Sequence, residues 1–348
     1  MSATVPIFSR LVGEGQPCFV IAEAGLNHNG DLEIAKRLID IAVVAGADAV
    51  KFQKRTVEAL AIKSVLDAPD NRFPEFGSTY RQIREHVEFG WDEYVELRDY
   101  CSQRGIAFLC TGFDIQAVEF LEKLGLQAYK LASHSLTNLP LLEHVARIGK
   151  PVIMSTGMST LEEIDQAVEP FARHGTPLML MHCVSAYPTP PEQCNLAMIP
   201  FLHKRYNVPV GYSGHELGYI PTLAAVALGA AAVERHYTID KTMVGFDHKI
   251  SLEPDEFYQM VRAIRHTQAA IGRADKHVLE AEQITRQKYH VSIASAVDIP
   301  AGAVVEAHML RLTNPGTGLP ARELHNVVGR RAAQDIPAET LITWEMLR

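Results

Sequence analysis

The sequence predicts a (β/α)8 barrel followed by a small β-rich domain. Three observations carry that prediction. Eight short apolar runs recur along the first two thirds of the chain, helical patterns separate them, and the texture changes after about residue 271. The chain has 348 residues, enough for one large domain and a small one.

The eight runs span 19–23, 48–52, 107–111, 128–132, 151–155, 178–183, 208–212 and 232–236. They are apolar nearly throughout, as expected of parallel strands covered on both faces. Helical patterns lie between them, for example at 32–45, 115–124, 140–148 and 161–174, and these four end at Gly46, Gly125, Gly149 and Gly175. A doubly wound sheet has the same rhythm, but no G-x-G-x-x-G follows the first run. The stretch PTLAAVALGAAA, 221–232, reads as one helix between the last two strands. The segment 55–88 is too long for a simple connection and reads as a lid or rim.

The segment 254–271 reads as the last barrel helix, and the residues after it are polar and charged. Within the tail, DIPAGAVVEAHML (298–310) echoes DIPAETLITWEML (335–347) in register, which predicts a pseudo-symmetric module. The expected division is a barrel over 1–275, a linker over 276–290 and a second domain over 291–348.

Composition narrows the function. A net charge of -8 argues against nonspecific nucleic-acid binding, which needs a basic surface. No apolar run reaches the length of a membrane span, and the first residues lack a signal-peptide core. The five scattered cysteines contain no C-x-x-C pair and read as free thiols in a reducing cytoplasm.

Every strand end presents polar groups where a barrel builds its active site. Glu23 ends the first strand, Lys51 and Gln53 the second, and Thr111 the third. Lys130 and Ser133 close the fourth and Ser155 the fifth. Ser185 and Tyr187 follow the sixth, Ser213 and His215 the seventh, and His236 finishes the eighth. His215 and His236 lie on adjacent predicted strands, and a pair of imidazoles suits a divalent transition metal with open positions for substrate. Two lysines within strands are costly to bury unless they meet anions. Salt bridges to Glu23, a Schiff-base lysine and an anion cradle are the alternatives. Three hydroxyl residues at matching positions (Ser133, Ser155 and Ser213) favour the cradle. Glu23 suits acid–base work or metal ligation, and Asp247 reads as an acceptor for sugar hydroxyls or a turn cap. The run Asn27-His28-Asn29-Gly30 reads as a turn and helix cap, and His134, His144, His182 and His203 as structural.

Taken together, IAEAGLNHNG, AGADAVKFQ, YKLAS, KPVIMSTGM, HCVSAYPTP, GYSGHE, VALGAAAVERHYT and GFDHKISLEP resemble, in order, the sialic acid synthase family. The tail resembles the antifreeze-like (SAF) domain that follows the barrel in those enzymes. The resemblance implies condensation of phosphoenolpyruvate with an N-acylamino sugar aldehyde such as N-acetylmannosamine, with C–O cleavage and release of phosphate. It implies His215 and His236 as ligands of a divalent metal, manganese first, with magnesium or cobalt as alternatives. Lys51, Thr111, Lys130, Ser133, Ser155, Ser185 and Ser213 then match the phosphoenolpyruvate pocket, and Glu23 the catalytic carboxylate. Gln53, Tyr187 and Asp247 match sugar contacts, and the family implies a domain-swapped homodimer. Two positions depart from the pattern. Ser135 stands where some bacterial synthases have an acidic residue, and Asn314 where they place an arginine that reaches the partner's sugar. Arg311 or Arg322 would then substitute, or the sugar differs. A Schiff-base aldolase and a non-catalytic carbohydrate-binding barrel are the competing readings.

Overall fold

All eight predicted runs become strands of one sheet in the computed structural model, which describes residues 4–348. A short antiparallel hairpin comes first, β1 (Thr4–Ile7) and β2 (Arg10–Gly13). The barrel strands follow: β3 (Phe19–Gly25), β4 (Ala49–Lys54), β5 (Ala107–Gly112) and β6 (Tyr129–Leu131). Then come β7 (Val152–Ser155), β8 (Leu178–Cys183), β9 (Val210–Gly214) and β10 (Ala232–His236). Consecutive strands pair in parallel, and β10 closes on β3 to make an eight-stranded barrel.

The alternation of side chains along each strand sorts the residues into two cores. Outward positions such as Val20, Ala22, Val50, Phe52, Tyr129, Leu131, Leu180, Tyr212 and Val233 are buried under the surrounding helices. Inward positions are apolar at the amino-terminal end of the strands and polar two residues later. Ile21 precedes Glu23, Ala49 precedes Lys51, and Leu109 precedes Thr111. Ala128 precedes Lys130, Ile153 precedes Ser155, and Ala232 precedes Glu234. One apolar layer therefore floors the polar layer above it.

The hairpin seals that floor. Val5, Ile7 and Val12 are buried against Phe19, Ile21, Leu109, Ile153 and Met179. Residues 4–13 carry no expectation from the sequence, because two four-residue strands leave too short a pattern to distinguish from loop.

The helix ends follow their residues. Gly46 closes the helix Leu32–Ala45 at φ 80°, where its N–H reaches the Ala42 and Val43 carbonyls and a side chain would be strained. The expected single helix over 221–232 is shorter. It spans Ile220–Ala227, Gly229 turns the chain at φ 94°, and Ala232 already belongs to β10. Alanine permits helix, yet this stretch must also deliver β10 to its neighbours, and tertiary pairing outweighs propensity. The 55–88 insertion holds two short helices, Lys63–Leu66 and Tyr80–His86.

The chain divides into two compact units after Gly272. The residues expected as linker include a short helix, Gln283–Tyr289, counted with the second unit. That unit carries an antiparallel pair, β11 (Ser292–Ser295) and β12 (Leu310–Thr313). The sequence echo is a structural one. Ile299 and Ile336 hold equivalent places in the two segments and exchange backbone hydrogen bonds of 2.8 and 2.9 Å. The 3-10 turns Ala307–Met309 and Trp344–Met346 stand at equivalent places too. Ile299, Val305, Ile336 and Ile342 share the core of the unit. Among the described residues, no helix is long and apolar enough to cross a membrane.

Ile7 is fully buried in the barrel floor. Ile7→Ala is expected to lower unfolding free energy by about 2–5 kcal/mol, read by urea denaturation. A change below about 0.5 kcal/mol would show that the hairpin is peripheral.

Candidate active site

The polar layer is assembled by strand register. Glu23 pairs with Lys51 on one side and with His236 on the other, and Thr111 pairs with Lys130. Ser213 pairs with Glu234. Neighbours at one level of a barrel point into the same space, so these groups converge on a cavity of about 280 Å³ at the carboxyl ends of the strands.

Two ammonium groups and two carboxylates meet there. Lys51 Nζ lies 2.9 Å from Glu23 Oε2 and 3.5 Å from Glu234 Oε2, and donates to Thr111 Oγ1 at 2.9 Å. Lys130 Nζ lies 3.9 Å from Glu234 Oε2 and donates to Ser155 Oγ at 2.6 Å. Ser213 Oγ donates to Glu234 Oε1 at 3.1 Å, and Gln53 Nε2 to Glu23 Oε1 at 2.6 Å. All four charged groups are buried. Each charge is tolerated because an opposite one faces it.

The environment separates the two carboxylates. Burial pushes Glu23 up to about 7, Lys51 offsets part of that, and Glu234 adds repulsion. Burial also raises Glu234, but Lys130 and Lys51 outweigh it and bring the group to about 2. The two carboxylates are thus pushed in opposite directions, Glu23 toward holding a proton and Glu234 toward staying ionised, a separation that acid–base chemistry can use. Lys51 is raised because its two carboxylate partners outweigh the desolvation that opposes its charge.

The remaining predicted residues are drawn to the same cleft. Gly157 shows how closely two hydroxyls converge: a Cβ there would stand 2.5 Å from Ser185 Oγ and 2.8 Å from Ser133 Oγ. Gly157 N–H donates to Ser133 Oγ at 2.9 Å. At Gly25 a Cβ would meet Glu23, Gln53 and His236 Nδ1 within 3.3–3.4 Å. Tyr187 lies over His215 with ring centroids 4.0 Å apart, and Asp247 Oδ2 is 3.7 Å from His236 Nδ1. Asn314 is not in this group. It lies in the second unit, exposed, where Arg311 pairs with Glu339 and Arg322 with Glu323. Ser135 is buried with its Oγ unpartnered and does not line the cleft.

The two histidines fit a divalent metal. Their ring centroids are 5.6 Å apart. His215 Nδ1 is 2.8 Å from the Val184 carbonyl, which leaves Nε2 free, and His236 Nδ1 is buried without a partner. Burial holds His236 down to about 4, so its imidazole is neutral and able to ligate. Among the described residues, no three His, Cys, Asp or Glu side chains close on one point. Two nitrogen ligands would leave the other positions of such an ion to substrate and water.

Sequence reasoning missed five residues. Glu234 sits two before His236, on the same face of β10, and that spacing was its signal. Glu216 follows His215 and accepts from Arg235 Nη1 at 2.7 Å, Thr222 Oγ1 at 2.7 Å and Tyr212 OH at 3.0 Å, all buried. That clamp fixes the backbone carrying His215. Arg55 and Arg84 line the cleft from the insertion, and His134, expected to be structural, lines it from the turn after β6.

Comparison with known proteins identifies the family. The NeuB family model matches residues 38–276, and the SAF domain model matches residues 290–348. The chain is 38% identical over 340 residues to N-acetylneuraminate-9-phosphate synthase of Homo sapiens, covering 97% of this chain and 95% of that one. It is 37% identical over 340 residues to N,N'-diacetyllegionaminic acid synthase of Legionella pneumophila, covering 96% and 95%. The crystal structure of N-acetylneuraminic acid (sialic acid) synthetase from Leptospira borgpetersenii in complex with citrate superposes with a TM-score of 0.72 at 36% identity. It covers 82% of this chain and 95% of that one.

Removing the charge of Glu234 leaves two buried ammonium groups with one carboxylate. Glu234→Gln is expected to cost about 3–5 kcal/mol of stability at pH 7, read by chemical denaturation. Because the folded pKa lies below the ordinary 4.5, the ionised group's contribution is complete above that pH and fades as pH falls toward 2. The gap between wild type and variant should close over the same window; a gap independent of pH would contradict the ion-pair account.

Proposed function

This chain belongs to the NeuB family of sialic and related nonulosonic acid synthases, and on that footing we propose the reaction it performs. It joins C3 of phosphoenolpyruvate to the open-chain aldehyde of an N-acylamino sugar, with N-acetylmannosamine as the reference acceptor. The enol C–O bond breaks and inorganic phosphate leaves. The observation that carries this reading is the charged layer of Glu23, Lys51, Lys130 and Glu234 with hydroxyls on the same wall.

The cradle explains the first substrate. Lys51 and Lys130 supply the positive charge, and the hydroxyls of Thr111, Ser133, Ser155, Ser185 and Ser213 supply directed hydrogen bonds to phosphate and carboxylate oxygens. Glu234 keeps both lysines protonated before the anion arrives, so little reorganisation is needed on binding. Attack of C3 on the aldehyde leaves positive charge at C2, and the two carboxylates lie in the same layer to stabilise it. Water adds at C2, and the tetrahedral intermediate collapses with loss of phosphate. Glu23, poised near neutrality, holds or releases the proton these steps need at its Oε atoms, oriented by Gln53. Tyr187, Gln53 and Asp247 face the sugar.

His215 and His236 would hold a divalent cation, manganese first and magnesium or cobalt next, which when bound supplies Lewis-acid polarisation of a carbonyl oxygen. A cytoplasmic, domain-swapped homodimer belongs to the same proposal, with Asn314, Arg311 or Arg322 reaching the partner's sugar. Sedimentation showing a fully active monomer would remove that part. The relatives' names span phosphorylated and unphosphorylated products, so the family leaves the acceptor open.

The direct test supplies manganese, phosphoenolpyruvate labelled with 18O at the enol bridge and a panel of N-acylamino hexoses. The label should appear in released phosphate, and His215→Ala or His236→Ala should abolish turnover while leaving the thermal transition in place. No phosphate from any acceptor would contradict the reaction. Borohydride trapping of Lys51 or Lys130, with chelator leaving activity intact, would establish the aldolase instead.

A further inference from the structure

Two cations of the cleft have no part in the reaction just described. Arg55 leaves β4 beside Gln53, whose Oε1 accepts from its Nη2, and Arg84 lies in the insertion helix Tyr80–His86. Both line the active-site cavity. Each guanidinium rests on aromatic faces: Arg55 Cζ is 3.8 Å from the Phe113 centroid, and Arg84 Cζ is 4.3 Å from that of Phe246 and 5.1 Å from that of Tyr80.

Neither guanidinium is directly paired. Among the described residues neither side chain makes an ion pair, and the nearby Glu88 carboxylate is engaged by Lys54 at 2.7 Å. Arg55 is only 9% exposed, and its Nη1 is buried without an acceptor. Arg84 Nε and Nη1 are likewise buried and unpartnered. Buried donors without acceptors are rare because they lose their water and gain nothing. Lys51 and Lys130, by contrast, already face carboxylates deeper in the barrel. The cleft is therefore polarised, near charge balance at its floor, with two guanidiniums against the single Asp247 carboxylate at its rim.

We propose that Arg55 and Arg84 form a second anion subsite, which takes a phosphate monoester on the end of the acylamino sugar remote from its aldehyde. The inference rests on the condensation reading, which places the aldehyde in the deep layer and hence the far end of the sugar at the rim. Two planar guanidiniums offer paired N–H donors and two charges to a dianionic phosphate, where a neutral hydroxyl would leave both unsatisfied. Gln53 and Asp247, which face the sugar, stand on this side: Gln53 accepts from Arg55, and Asp247 adjoins Phe246, on which Arg84 rests. The product is then a nonulosonic acid phosphorylated at its far end.

The test compares binding by titration calorimetry of N-acetylmannosamine, its 6-phosphate and its 6-carboxylate analogue to the manganese-loaded full chain. The phosphate is expected to bind at least about tenfold more tightly than the other two. Arg55→Gln and Arg84→Gln should each bring the phosphate-to-neutral ratio toward one, and Arg84→Lys should restore part of it. A variant that has merely lost its fold weakens both sugars together and leaves no such change of ratio. Equal affinities in the wild type, tighter binding of the carboxylate, or a ratio untouched by both substitutions would overturn the proposal. Phosphoenolpyruvate consumed with no acceptor would undo the condensation reading alone, since the binding ratio is measured without turnover.

Discussion

Lys51 and Lys130 are buried at one level inside a barrel, and neither charge is tolerable there alone. Glu234 stands within ion-pair distance of both, and Glu23 holds Lys51 from the other side. Much else follows from keeping this quartet together. The strand register must bring β3, β4, β6 and β10 to a common height, and a slip of one residue on any of them would turn its charge into the apolar outer core. The floor of Ile21, Leu109, Ile153 and Met179, sealed by the hairpin, excludes water from beneath. The layer is thereby costly to bury and chemically capable.

The histidines depend on neighbours that do no chemistry. Glu216 and Arg235 pair on the outer side of β9 and β10, beneath the helix Ile220–Ala227, with Thr222 and Tyr212 completing the network. Because Glu216 accepts from three buried donors while Arg235 Nη2 also donates to the Glu216 carbonyl, the chain at His215 has little freedom to drift. A site this deep is more precise on strand ends than it would be on free loops.

Much of this was legible in the residues. The strands were, because runs apolar on both faces have few other uses, and the glycine-terminated helices were, because a left-handed C-cap favours glycine. The inward polar residues were read from their places at strand ends. Glu234 escaped because it lies inside an apolar run and is flanked by Arg235, which points the opposite way. A strict period of two counted back from His236 would have found it. Arg55 and Arg84 escaped for another reason: a long insertion has no repeating pattern that says which side chains turn inward. Asn314 belongs to the second unit, and the sequence alone places it in a partner's cleft only by resemblance.

On the proposed function, the barrel's buried lysines hold an anionic enol substrate. The most direct measurement is the affinity of phosphoenolpyruvate for the wild type and for Lys130→Met, by titration calorimetry in the absence of sugar. A loss of about a hundredfold or more is expected, since an anion placed opposite a desolvated ammonium loses that partner outright. Affinities within about threefold of each other would contradict the account, and would mean that Lys130 serves the fold through Glu234 and Ser155 rather than the substrate.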